Sequence, residues 1–246
     1  MRYNGLLARN LYGSLSYTWA HSIDDGSLDS SVFLIHSGYS LSEARGSSNF
    51  DVRHSLTAAL SYRIPFEGSA SRLPPWLAGW TLSGIFRIRG GFPIDVETNE
   101  QPLGQGFDNV GRPDLVHGVP VWISDPIVAG GRRLNPTAFA LPPTGAPGTL
   151  GRNAITGNPL IQVDASLHRE FALFHGFSLE VGLNVFNVLN HPAFGDPVPF
   201  LSSPWFGQST SMQNLMLGSG SANTGLPPLF QNGGPRSAEF SFRVSF

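Results

Sequence analysis

The final eleven residues, Arg236-Ser237-Ala238-Glu239-Phe240-Ser241-Phe242-Arg243-Val244-Ser245-Phe246, alternate between apolar and polar side chains and stop on a phenylalanine. A period of two belongs to a β-strand, because successive side chains leave opposite faces. Ala238, Phe240, Phe242, Val244 and Phe246 share one face, and Ser237, Glu239, Ser241, Arg243 and Ser245 share the other. A soluble sandwich strand alternates in the same way but seldom closes on an aromatic residue with no polar tail. In outer-membrane barrels the apolar face meets lipid, the polar face meets the lumen, and aromatic rings gather at the bilayer interface. The pattern therefore predicts a membrane-barrel strand, and the rest of the chain should repeat it.

It does so five more times. Leu11, Leu15, Tyr17 and Trp19 oppose Ser14, Ser16 and Thr18, with Tyr12 and Gly13 breaking the alternation. From His54 to Phe66, Leu56, Ala58, Leu60, Tyr62, Ile64 and Phe66 oppose Ser55, Thr57, Ala59, Ser61 and Arg63, and Pro65 falls near the end, where a missing ladder donor does least harm. Trp80, Leu82, Gly84, Phe86 and Ile88 then oppose Thr81, Ser83, Ile85, Arg87 and Arg89. Ile161, Val163, Ala165 and Leu167 alternate with Gln162, Asp164, Ser166 and His168. After a tight reversal at Phe174-His175-Gly176, Phe177, Leu179, Val181, Leu183 and Val185 oppose Ser178, Glu180, Gly182 and Asn184.

The fold class expected is all-β: an antiparallel meander of about six strands, forming part of a transmembrane β-barrel with long extracellular loops. The connections run long, short, long, short, long, which is the asymmetry of extracellular loops and periplasmic turns. Residues 21–53, 97–160 and 190–235 are then expected outside, with the turns near 67–78 and 172–176 in the periplasm. A structureless stretch as long as 97–159 is uncommon in a compact domain, so it predicts a functional surface loop or short hairpins hidden from the pattern.

Composition excludes several alternatives. Gly 29, Pro 20 and Phe 18 describe strands joined by turn-rich loops. The net charge of -2 and fifteen scattered arginines, with no lysine, give no basic patch for nucleic acid. Zero cysteines removes disulfides, a thiol nucleophile and thiolate metal sites. No stretch approaches the roughly 20 apolar residues of a membrane-spanning helix. Met1 to Asn10 also lacks the apolar core of a secretory signal, so a barrel reading predicts that the sequence is a fragment of an exported protein.

Chemistry-bearing clusters are sparse. His21, Asp24, Asp25 and Asp29 offer oxygen ligands for a hard cation, but without the spacing of a calcium loop, so a solvated loop is the expectation and no metal is assigned. Asp51, Arg53 and His54 suit a strand-end ion pair better than acid-base catalysis, and no serine sits in a nucleophile-elbow context. Gly104-Gln105-Gly106 and Gly218-Ser219-Gly220 lie outside any strand-to-helix turn and are expected to be loop glycines rather than phosphate loops. Arg87, Arg89, Glu180 and Arg243 fall on polar faces, as substrate-path residues or as lumen charges paired with neighbours. No catalytic residue and no cofactor are assigned.

Five segments carry a family likeness: Ser16-Tyr17-Thr18-Trp19-Ala20-His21-Ser22-Ile23-Asp24-Asp25, Phe50-Asp51-Val52-Arg53-His54, Asn135-Pro136-Thr137-Ala138-Phe139, Leu150-Gly151-Arg152-Asn153 and Phe186-Asn187-Val188-Leu189-Asn190-His191-Pro192. In this order, with the Phe246 ending, they resemble the C-terminal part of Oar-like TonB-dependent receptors over nearly the whole chain. The resemblance implies an outer-membrane transporter with a barrel of about 22 strands filled by a plug. Residues 1–246 would then be the C-terminal part of that barrel, with the plug, the N-terminal strands and the carboxypeptidase-regulatory-like domain missing. It further implies that Phe240, Phe242 and Phe246 match the signal read by the barrel-assembly machinery, a role compatible with facing lipid. Partners implied are outer-membrane lipid, the assembly machinery, and TonB only through the missing plug. The competing expectation is a soluble or secreted β-sandwich binding module that buries the same apolar faces between two sheets.

Overall fold

The computed structural model describes residues 1–27, 44–65, 78–98, 111–144, 146–213 and 232–246. Seven long strands, β1 (Arg2–Ala8), β2 (Leu11–Trp19), β3 (His54–Arg63), β4 (Trp80–Arg89), β5 (Leu160–Ala172), β6 (Ser178–Phe186) and β7 (Ser237–Ser245), form one sheet. Their spatial order is their chain order and every pairing is antiparallel, so the sheet is a simple meander.

The register keeps each face chemically uniform. One row crosses the sheet as Gly13, Leu60, Gly84, Ala165, Val185 and Ala238, and the next as Leu11, Tyr62, Leu82, Leu167, Leu183 and Phe240. A one-residue slip anywhere would turn serines and charges onto this face, so the alternation itself fixes the pairing. The face is not covered. Leu82 is 51% exposed, Phe240 and Phe242 are 71% exposed each, and Trp19 is 65% exposed. That exposure runs against a sandwich, in which this face would be the core.

The strand β1 departs from the six expected. Its Gly5 lacks a side chain, and a register irregularity between Leu6 and Ala8 places Leu6 and Leu7 side by side, which erases the alternation that marks the other strands. The turn into β2 is closed by Asn10 at φ 63. The strand from His54 stops at Arg63, short of the expected Phe66, which lies outside the described residues, as do Pro74-Pro75.

The shorter connections at one end contrast with the three long ones at the other. Between β5 and β6, His175 and Gly176 take φ 56 and 83, and Leu173 N–H bonds Phe177 O at 2.8 Å. Positive φ at both central residues matches the twist of the flanking strands and lets them pair without splaying. The Phe174, Phe177 and Phe246 rings cluster here, with centroids 6.4 and 6.2 Å apart. Inside the sheet, a Cβ at Gly182 on the polar face would crowd the His168 ring and the Ser241 hydroxyl.

Neighbouring residues on β4 test the facial assignment. Phe86→Arg puts a cation on the apolar face and should cost about 2–4 kcal/mol in urea unfolding from phospholipid bilayers. Ile85→Arg lies opposite Asp164 on the polar face and should cost a fraction of that. Equal losses would contradict the assignment.

Candidate functional site: the cap formed by the long connections

The buried core of the described residues is not in the sheet. It lies in the connections, where Ile94, Val96, Leu134, Ala138, Phe139, Leu150, Ile155 and Phe206 pack together with Leu115, Val119, Val121, Trp122 and Leu201 against them. The stretch 97–159, apart from 99–110 and 145, resolves into nested hairpins. Pro93–Ile94 pairs with Ile155–Thr156, Asp114–Leu115 with Phe139–Ala140, and Trp122–Ser124 with Arg132–Leu134. Two or three residues per strand are too few to show a period, yet together they bury a core. Phe139 and Phe206 meet edge to face at 5.5 Å, tying the connection after β4 to the one after β6.

The motif segments are joints of this cap. In Leu150-Gly151-Arg152-Asn153, Leu150 enters the core while the buried Arg152 guanidinium crosses to the connection after β2. Its Nη1 donates to Asp24 Oδ1 at 2.6 Å and to the carbonyls of Asp24 and Ala44 at 3.1 and 3.3 Å. Its Nη2 donates to Ser27 Oγ at 2.7 Å and Asn49 Oδ1 at 3.4 Å. Burial would raise the Asp24 carboxyl, but the Ser27 hydroxyl and Arg152 outweigh it and hold the group below the usual range. Asn153 adds bonds from Nδ2 to Ser47 O at 2.6 Å and Asn49 Oδ1 at 2.7 Å. A side chain at Gly46 would meet Arg152 O at 2.4 Å, so the close approach needs glycine.

The cation cluster read from His21, Asp24 and Asp25 is not assembled. Asp24 goes to Arg152, whereas His21 Nδ1 lies 2.9 Å from Asp51 Oδ2. Asp29 lies outside the described residues. The expected solvated loop is instead a clamp around buried Asp51, which also accepts from Ser22 N–H and Arg53 Nε, both at 2.9 Å. Burial raises its carboxyl, and these donors more than offset that, bringing it to about 2. His54 turns away and bonds Tyr17 Oη at 2.8 Å.

Asn135 caps the short 3₁₀ turn at Pro136–Ala138 through Thr137 N–H and donates from Nδ2 to Pro120 O at 3.0 Å. Asn187, buried at φ 49, ties the start of the last connection to its end by donating to His191 O and Gly234 O at 3.0 and 2.9 Å. Its N–H donates to Asp164 Oδ1 at 2.9 Å, and Asp164 also pairs with Arg87. Of the other polar-face charges, Arg89 donates to Gln213 Oε1 at 3.1 Å and stacks on Phe92, and Glu180 lies 3.6 Å from His168 and opposite Arg243. Phe240, Phe242 and Phe246 stand on the exposed apolar face, with Phe246 99% exposed. Gly104, Gly106, Gly218 and Gly220 lie outside the described residues.

Where the three connections meet, a cavity of about 600 Å³ opens between Asn49, Phe50, Phe92, Asp95, Asn153 and Asp196. That is ample for a small molecule. Asp95 is neutralised by a fork from Arg112 Nε and Nη2 at 2.7 and 2.9 Å. Burial, aided by Asp95 and opposed by Arg112, pushes Glu97 up to about 7. Burial likewise pushes Asp196 up to about 6 against the N–H of Asn158 and the charge of Arg89. Alternation could not reveal this site, because every lining residue lies outside the long strands.

Two outcomes follow from these groups. Removing one partner of a buried ion pair costs about 3 kcal/mol, so Arg152→Met should lower hydrogen-exchange protection of the Ser48 and Leu150 amides by about two orders of magnitude while β5 keeps its protection. Loss of both together would contradict a separately stabilised cap. Carboxyls raised on folding stabilise below their unfolded values and lose that contribution as pH rises through the folded ones, here about 7 for Glu97 and about 6 for Asp196. Cap protection should therefore fall from about pH 4, where the unfolded carboxyls titrate, to about pH 7, and level off above that. Glu97→Gln with Asp196→Asn should flatten that fall.

A family model described as an outer membrane beta barrel domain matches residues 2–216. Searches of curated proteins and of solved structures find no match. The matched span covers β1 to β6 and every joint of the cap except the Gly234 contact. An exposed apolar face in strict alternation, short turns at one edge and long connections at the other are what such a barrel requires, and the chain belongs to the outer-membrane β-barrel domain family, with its place in the cell outer membrane.

Proposed function

We propose that the chain is the C-terminal part of a TonB-dependent outer-membrane receptor of the Oar-like kind, which binds a scarce ligand outside the cell and admits it under energy passed from the inner membrane. The observation that carries this reading is the cap. Connections serving only to join strands have no need of a buried core, three sets of ion-paired joints and a cavity of about 600 Å³ at their meeting point. The motif segments that resemble the Oar-like receptors supply two of those joints, Asp51 with Arg53 and Arg152 with Asp24, which favours this receptor type over a barrel with short loops. The family match supports the coarser part of the reading, an outer-membrane barrel.

In this reading the plug and the strands that close the sheet come from the rest of the receptor, since lipid does not tolerate open strand edges. TonB is contacted through the plug alone. Phe240, Phe242 and Phe246 serve as the assembly signal, and their exposure on the lipid face leaves them accessible to the machinery before closure. The chemistry is binding and gating rather than catalysis.

An antibody against residues 200–246 should detect, in outer-membrane fractions, a band several times larger than 26.5 kDa that is retained on the immobilised periplasmic domain of TonB. A band of 26.5 kDa alone, or a large band that is not retained, would contradict the receptor assignment.

A further inference from the structure

Arg132, on the second strand of the innermost hairpin, is held in place from two sides. Its guanidinium lies 4.1 Å from the centroid of the Trp122 ring. Its Nε and Nη2 donate to Asn158 Oδ1 at 3.2 and 2.7 Å, and Nη2 also reaches Gly157 O at 3.5 Å. Asn158 is itself fixed, its Nδ2 donating to Gly195 O at 2.8 Å and Ser209 Oγ at 2.9 Å. None of these partners carries a charge, and none uses the Nη1 edge.

Four other arginines of the cap differ in this respect. Arg53, Arg112, Arg133 and Arg152 each meet a carboxylate, Asp51, Asp95, Asp125 and Asp24 respectively. Arg132 meets none among the described residues. A half-buried cation without a counter-charge is unfavourable, and burial accordingly pushes its pKa below the usual arginine value. Beside it opens a second cavity, of about 500 Å³, whose lining includes Gly130, Gly131, Asn158, His191 and Phe194 and, among the described residues, holds no carboxylate. Gly130 and Gly131 turn the chain there at φ 85 and 67, and a Cβ at Gly130 would come within 3.0 Å of the Phe194 ring.

We propose that this cavity binds an oxyanion, a carboxylate or a phosphate, through Arg132, with an apolar part of the ligand against Phe194 and Pro192. A guanidinium already oriented by stacking and hydrogen bonds loses little freedom on binding, and its planar fork suits either oxyanion. The counter-charge that Arg132 lacks among the described residues is then supplied by the ligand. The anion comes either from a soluble molecule or from the phosphorylated headgroup of an outer-leaflet lipid. The site requires the folded cap but not coupling to TonB, so a receptor that fails to engage TonB leaves the inference standing.

The test uses the full-length protein purified in detergent, titrated calorimetrically with inorganic phosphate and with benzoate, and assayed for co-purified lipid phosphorus. Arg132→Gln should weaken anion binding by at least about tenfold, with Arg132→Lys in between because a point charge replaces the fork. Ala129→Trp, at the exposed mouth of the cavity, should weaken binding while leaving the contacts of Arg132 intact. Arg9→Gln, in the turn at the opposite end of the sheet, should leave it unchanged. Binding of phosphate or benzoate supports a soluble ligand. Lipid phosphorus that falls in both cavity variants, with no response to the soluble anions, supports the lipid headgroup. Anion binding and lipid phosphorus that match wild type in both Arg132→Gln and Ala129→Trp, or no anion in any form of the protein, would overturn the proposal.

Discussion

Hydrocarbon offers a backbone amide nothing to bond to, so every N–H and C=O that crosses it must be paired within the protein. That single constraint accounts for the sheet. The strands are joined by antiparallel ladders, from Arg2↔Ser16 at one edge to Ser178↔Ser245 at the other, with an irregularity between Leu6 and Ala8. Once the backbone is satisfied laterally, side chains are left to two solvents, and a strand with lipid on one side and polar surroundings on the other has to alternate. The sheet therefore needs no buried core of its own.

The cap obeys a different rule. Outside the bilayer, water competes for hydrogen bonds, and the connections hold together by burying apolar side chains in the ordinary way, with Val96, Leu134 and Ala138 fully enclosed. The polar joints add geometry to that burial. Arg152, Asp51, Asn153 and Asn187 are each buried and each bonded to several partners, so they specify which connection sits against which. Asp164 links the two parts, taking Arg87 within the sheet and the Asn187 amide at the root of the last connection.

How much of this could be read from residues alone follows from the same division. Strands β2 to β7 were legible because their two faces meet different environments over nine or more residues, long enough for a period of two to stand out. In β1, Gly5 and the irregularity after Leu6 removed that signal. The cap was legible only as an anomaly of length. Its pairs are short and its decisive contacts join distant positions, such as Arg152 and Asp24, 128 residues apart. The segments Ser16–Asp25, Phe50–His54 and Leu150–Asn153 drew attention as sequence, but the bonds among them belong to the folded chain. His21 and Asp24, close on paper as ligands for a cation, were divided between the clamp around Asp51 and the joint around Arg152.

The central claim is that the alternation sorts lipid from lumen along each strand. The sequence holds no cysteine, so single substitutions give a clean background. The most direct measurement places one cysteine at a time from Ile161 to His168 in the membrane-embedded protein and records quenching of an attached fluorophore by brominated lipid. Ile161, Val163, Ala165 and Leu167 should be quenched, and Gln162, Asp164, Ser166 and His168 should not. Quenching without alternation, or on the opposite set, would contradict the account.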